Sequence, residues 1–271
     1  MDMKTYRFGV LGAGSMGKTI AAGAVRAGLF RPDEVLLFNR SEEKRAANAA
    51  EGYAVTGDFT EVYTACDTVL LSVKPQNFAE ILPVLAGCKC EKPLVLSIAA
   101  GISFAKIEAA LGVDTPIIRA MPNTPSLVNA GMTSVTPNAL VSSEDVAEVL
   151  TIFRCFGQAE QIAEPMIHPV VGVSGSAPAY VFMFIEAMAD AAVLGGMPRA
   201  QAYKFAAQAV MGSAKMVLES GEHPGALKDM VCSPGGTTIE AVRVLEEKGF
   251  RSAVIEAITQ CMEKSEKLSR S

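Results

Sequence analysis

The chain has 271 residues, enough for one large or two ordinary domains with a sizeable core. Half of the residues are hydrophobic and the mean hydropathy is +0.29, so much apolar surface must be buried between subunits or in a membrane. A net charge of −5 with no basic block leaves no electrostatic footprint for nucleic acid, and no such partner is expected.

In chain order, residues 8–11 form an apolar run short enough for a buried strand. Gly12, Gly14 and Gly17 then fall on the spacing G-x-G-x-x-G, and Ala21, Ala22, Gly23 and Ala24 continue as a small-residue helix. Gly12 permits the strand-to-helix turn, Gly14 lets backbone approach a pyrophosphate, and Gly17 lets helix and strand pack closely. A helix starting at Ser15 offers free N–H groups and a positive dipole end to phosphate. Strand, glycines and helix together point to dinucleotide binding.

From Tyr6 to about Ile162, strand-like and helix-like stretches alternate, the pattern of a parallel sheet covered by helices. Residues 35–39 read as the second strand and 41–51 as its helix, with Ser41 as cap and acids in the first turn. Further strands are expected at 68–73, 94–98 and 117–121. Beyond Pro122, shorter strands at 132–136 and 160–163 flank a helix at 144–156, with room for antiparallel pairing. Past Pro165 the chain reads as helix at 178–194, 199–219, 238–248 and 251–268, with a short turn at 225–230.

The expected architecture is therefore α/β: a Rossmann-type dinucleotide-binding domain over residues 1–164, then an all-α domain over 165–271. Residues 169–198 are strongly apolar, but Glu186 and Asp190 interrupt them before about twenty apolar residues accumulate. A helix buried across a subunit interface is expected there, not a membrane span. No export signal is legible, and the six cysteines lack paired C-x-x-C spacing. They read as reduced thiols of a cytoplasmic protein, and no metal site is expected.

In dinucleotide folds an acid about twenty residues past the glycines commonly grips the ribose 2′-hydroxyl of NAD. Here the second strand ends Phe38-Asn39-Arg40-Ser41, without an acid at its tip. Asn39 and Ser41 can donate to a 2′-phosphate, and Arg40 adds a charge with fork geometry. NADP(H) is favoured, with NAD(H) also possible; a solvated loop arginine is the alternative for Arg40.

In the helical half, Ser233-Pro234-Gly235-Gly236-Thr237-Thr238 stops one helix, bares the backbone and starts another. Unpaired N–H groups at such a helix start make an anion site, and a small carboxylate suits it. Ordinary capping by Thr237 or Thr238 is the alternative. His168 and His223 each precede proline and read as turn residues. Lys74 in Ser72-Val73-Lys74-Pro75 either faces a cofactor or snorkels at a strand end. Without a plausible His or Cys catalyst, the substrate should already be a good electrophile, and an imine fits.

These motifs resemble the pyrroline-5-carboxylate reductase family over essentially the whole chain. The matching blocks are residues 12–17, Ser72-Val-Lys-Pro75, Ala99-Ala-Gly101, Arg119-Ala-Met-Pro-Asn-Thr-Pro125, Gly175-Ser-Ala-Pro-Ala-Tyr180 and Ser233-Pro-Gly-Gly-Thr-Thr238. The resemblance implies reduction of L-1-pyrroline-5-carboxylate to L-proline with NAD(P)H, the last step of proline synthesis. It also implies homodimers interlocked through the helical domain, and a higher homo-oligomer up to a decamer built of dimers. Carried over by position, Gly12, Ala13, Gly14, Ser15, Met16 and Gly17 hold the pyrophosphate, and Asn39, Arg40 and Ser41 the 2′-phosphate end. Ser72, Val73, Lys74, Pro75, Ala99 and Ala100 line the cofactor cleft, with Asn123 on the nicotinamide side. Ser233, Gly235, Gly236, Thr237 and Thr238 bind the substrate carboxylate, Glu164 lies near the substrate, and Thr238 serves the ring nitrogen as the catalytic proton donor. Three positions depart from the family pattern: Ala177 for Gly, Met230 for Asn or Gln, and Cys232 for Ser or Thr. The rival readings are a related two-domain NADP-dependent reductase of another cyclic imine or small hydroxyacid, and a nucleotide sensor without chemistry.

Overall fold

The structure, a computed structural model, describes residues 5–270. Within them the chain divides into two compact units. One runs to Gly175 and is rejoined by the chain from Met262 onward; the other is Ser176–Cys261. The division falls later than residue 164 because the segment after it belongs with the sheet. Asn123 Nδ2 donates to the carbonyl of Ser174 at 3.0 Å, and His168 Nδ1 lies 3.0 Å from Ser265 Oγ.

The first unit is built on eight strands: β1 (Tyr6–Leu11), β2 (Val35–Phe38), β3 (Ala54–Thr56), β4 (Cys66–Leu71), β5 (Leu94–Ser97), β6 (Ile117–Met121), β7 (Gly131–Pro137) and β8 (Gly157–Gln161). Their order is β3-β2-β1-β4-β5-β6-β7-β8. The first six are mutually parallel; β7 runs antiparallel to β6, and β8 is parallel to β7. The last strand thus lies earlier than the expected 160–163. Its helices are α1 (Ser15–Arg26), α2 (Glu42–Ala50), α3 (Phe59–Ala65), α4 (Phe78–Ala86), α5 (Phe104–Leu111), α6 (Ser143–Arg154) and the short α7 (Ile167–Val170), which runs into a π-helical turn, Val171–Gly175.

Side chains alternate across each strand, and both faces of the sheet are covered. On β4, Leu70 packs into a layer with Val10, Leu37, Leu96, Ile20 and Phe153. Its neighbours Val69 and Leu71 join the opposite layer with Leu11, Leu36, Val95, Phe78 and Ile107. Double coverage is why these strands read as unbroken apolar runs rather than alternating ones.

The second unit holds α8 (Ala177–Leu194), α9 (Arg199–Ser220), α10 (Pro224–Val231), α11 (Thr237–Glu247) and the first part of α12 (Phe250–Arg270). Buried Ala189, Ala202 and Ala206 let α8 and α9 pack closely. The expected turn at 225–230 is a helix: His223 Nδ1 accepts from the Gly225 N–H at 3.0 Å, and Pro224 takes the first helical position. Large apolar side chains, among them Phe182, Met183, Phe205, Met211 and Ile255, are exposed on the single chain. Within Glu164–Leu194 a window is long and apolar enough to cross a membrane by length and composition alone.

Candidate active site

Because β1, β2, β4, β5 and β6 are parallel, their carboxyl ends lie along one edge of the sheet. Leu11 is in register with Phe38 and Leu71, Leu71 with Ser97, and Ser97 with Arg119. That edge brings together Gly12, Asn39, Ser72, Ala99 and Asn123, each just beyond a strand end. The sheet order reverses between β1 and β4, and the crevice at such a switch point is where open α/β sheets bind ligands.

The glycine turn fits a phosphate group. Gly12 has φ +103°, and a Cβ there would stand 2.8 Å from Val73 Cγ1. A Cβ on Gly17 would stand 2.6 Å from the Gly12 carbonyl oxygen, so α1 packs directly on its own turn. Gly14 is different: a Cβ there meets nothing within 4 Å. It caps α1 without any side-chain hydrogen bond, and the first turn of the helix carries no acid. Bare N–H groups, a positive dipole end and open space there suit an anion such as a pyrophosphate. From Ala13, Gly14 and Ser15 a cavity of ≈ 580 Å³ extends past Lys18 and Thr19 to Lys44.

At the tip of β2, Asn39 is buried and braced. Its Nδ2 donates to the Ala13 carbonyl at 3.1 Å, and its Oδ1 accepts from Asn48 Nδ2 at 2.8 Å. The side chain therefore ties β2 to the glycine turn. Arg45, which sequence reasoning missed, donates through Nη1 to the carbonyls of Asn39 and Arg40, both at 2.8 Å. Ser41 caps α2, its Oγ accepting from the Lys44 N–H. Arg40 extends outward, its Nη2 3.7 Å from Glu80 Oε1.

Beyond β4, Ser72 donates its N–H to the Leu11 carbonyl at 3.0 Å, and Lys74 is exposed. Asn123 uses both ends of its amide on protein: Oδ1 accepts from the Met132 N–H at 2.9 Å while Nδ2 holds Ser174. Behind this edge Arg119 is buried in β6. Its Nη1 donates to Glu164 Oε1 at 3.1 Å, and its guanidinium lies 5.6 Å from the centre of the Phe104 ring. Burial pulls the Arg119 pKa below its ordinary value, and the Glu164 carboxylate opposes that pull. A charged residue in the apolar run Ile-Ile-Arg-Ala-Met is the signal that could have found this pair, because a buried charge requires a partner.

The second unit carries the other cradle. Gly235 has φ +69°, and Gly236 donates its N–H to the Ser233 carbonyl at 3.0 Å. A Cβ on Gly236 would clash with Ser233 Oγ. Gly236 caps α11 with no side-chain hydrogen bond, so neither Thr237 nor Thr238 acts as the cap. Both hydroxyls, with the bare N–H groups of the first turn, remain available to a ligand. His223 caps α10, whereas His168, expected in a turn, lies within the short helix α7 with its Nδ1 3.0 Å from Ser265 Oγ.

A family model described as pyrroline-5-carboxylate reductase dimerisation matches residues 164–268. A second, described as NADP oxidoreductase coenzyme F420-dependent, matches residues 7–101. The chain is 65% identical to the pyrroline-5-carboxylate reductase of Escherichia coli (strain K12), over 98% of this chain and 99% of that protein. Among solved structures, the pyrroline-5-carboxylate reductase of Coxiella burnetii superposes with TM-score 0.92 at 33% identity, covering 98% of this chain and 100% of that one. Plasmodium falciparum pyrroline carboxylate reductase with NADP bound gives TM-score 0.86 at 30% identity, covering 98% and 99%.

Proposed function

The chain belongs to the pyrroline-5-carboxylate reductase family, and on that premise we propose the residues by which it works. It is an NADP-dependent oxidoreductase that reduces L-1-pyrroline-5-carboxylate to L-proline, the last step of proline biosynthesis. Its helical part is a dimerisation domain, and the protein is a homo-oligomer.

When bound, NADP(H) supplies the hydride that the imine carbon accepts. Gly12 to Gly17 hold its pyrophosphate on the N-terminus of α1, Arg40 and Ser41 meet the 2′-phosphate, and Ser72 to Pro75, Ala99 and Ala100 border the cleft. Asn39 and Asn123 serve as braces of that cleft through the hydrogen bonds described above. The bare turn at Ser233, Gly235 and Gly236 and the N–H groups of Thr237 and Thr238 anchor the substrate carboxylate. The Thr238 hydroxyl holds a proton at the ring nitrogen, directly or through water. Glu164 acts near the substrate through the carboxylate oxygen that Arg119 leaves free.

One observation carries the substrate assignment: α11 begins on two glycines after a proline, with no side chain capping it. A nucleotide sensor has no use for that second cradle. The exposed apolar faces of α8 and α9 are assigned to subunit contact, in dimers that assemble further up to a decamer, in the cytoplasm. The test is consumption of NADPH on adding pyrroline-5-carboxylate, with proline identified as the product. Consumption without proline would overturn the assignment.

A further inference from the structure

Arg40 follows β2, and Glu80 lies in the first turn of α4, which follows β4. In the sheet, β2 and β4 stand on either side of β1. The 3.7 Å contact between Arg40 Nη2 and Glu80 Oε1 therefore spans the carboxyl end of β1, from one lip of the switch-point crevice to the other. A dinucleotide in this fold lies along that crevice. The backbone of Arg40 is held by Arg45, whose Nη1 grips the carbonyls of Asn39 and Arg40 at 2.8 Å each. Only the side chain of Arg40 can change partner.

We propose that Glu80 is a specificity-determining residue, competing with the cofactor's 2′-phosphate for Arg40 and so limiting the preference for NADP(H) over NAD(H). The proposal rests on the reading of Arg40 as the partner of that phosphate. An arriving phosphate meets a guanidinium already engaged by a carboxylate, and the carboxylate itself repels it. NAD(H) presents only a hydroxyl at that position, which neither needs Arg40 nor is repelled by Glu80. The side chains are 69% and 71% exposed, so the pair is one that a phosphate can displace. Exposed pairs of this kind shift an equilibrium by about two- to fivefold.

The experiment is calorimetric titration of the full chain with 2′,5′-ADP and 5′-AMP, the fragments with and without the discriminating phosphate. Glu80→Gln should tighten 2′,5′-ADP by about two- to fivefold, leave 5′-AMP unchanged, and lose its effect as salt is raised. No change for 2′,5′-ADP, or an equal gain for both nucleotides, would overturn the proposal. Arg40→Gln tests the reading beneath it: a loss confined to 2′,5′-ADP supports that reading, and an equal loss for both removes it. In the Arg40→Gln background the gain from Glu80→Gln should shrink. An undiminished gain would overturn competition through Arg40.

Discussion

Asn39 donates its side-chain amide to the carbonyl of Ala13 at 3.1 Å, fastening the tip of β2 to the glycine turn. The acceptor end of the same amide is held by Asn48 at 2.8 Å, which fixes its orientation. A carboxylate at position 39 could accept but not donate, so the missing acid at this strand end has a structural cause as well as a cofactor one.

Asn39→Ala should therefore act on the turn, not on the phosphate. It leaves the Ala13 carbonyl and the Asn48 amide without this partner, at a cost of about 1–3 kcal/mol for buried groups. Thermal unfolding should show that loss, and affinities for NADPH and NADH should fall together. A loss confined to NADPH would put Asn39 back on the 2′-phosphate.

Arg40→Glu should do the opposite. Hydrogen bonds to a charged group are worth about 1.5–3 kcal/mol, so the Michaelis constant for NADPH should rise roughly tenfold or more. That for NADH should move far less. Equal effects on the two cofactors would show that Arg40 does not read the phosphate.

The strands at β1, β2, β4, β5 and β6 were legible because each is a short apolar run closed by Gly, Pro or polar residues. The glycine turn was legible for the same reason: its spacing sits between strand and helix. Less visible were β3, only Ala54–Thr56, and α4, where Pro83 lies inside a helix. The strand after α6 was displaced because the polar run Gly157–Gln161 carries little apolar signal. The brace from Asn39 to Ala13 and Asn48 is not legible in the sequence, because side-chain direction cannot be read from a strand tip. Arg45, Asn48 and Glu80 were missed because their partners are distant in sequence or carried by another element.

Thr238→Ala should separate chemistry from cofactor binding. Thr238 occupies the second helical position of α11 and does not cap it, so the change removes a hydroxyl without unmaking the helix start. Turnover should fall by about 10²-fold, the usual scale for a positioned proton donor, with NADPH affinity nearly unchanged. Thr238→Ser should recover much of the rate. Full turnover in the alanine variant would remove Thr238 from the mechanism.

Tyr63 gives a prediction for alkaline pH. Burial, with Cys90 and Cys88 nearby, raises its pKa from 10.0 to about 12. Between those values the unfolded chain has released the phenolic proton and the folded chain has not. Stability from this residue is thus full below about pH 10, the unfolded value, and is lost as pH rises toward 12. Denaturant midpoints measured across that window should fall, and Tyr63→Phe should flatten the decline. An unchanged slope in the variant would mean that other groups govern alkaline unfolding.

The pair Arg119–Glu164 is asymmetric, and its two members should respond differently to removal. The Arg119 side chain is 9% exposed and that of Glu164 is 50% exposed. Removing Glu164 leaves a cation in a buried site against the Phe104 ring. Removing Arg119 leaves a carboxylate that water already reaches. Replacing a buried charge by an apolar side chain of similar length is often close to neutral, whereas stranding one is costly. Glu164→Ala should therefore lower stability by about 1–3 kcal/mol, and Arg119→Met by less. Chemical denaturation of the two variants decides the matter: the reverse order would show that the carboxylate, not the guanidinium, is the member that depends on its partner.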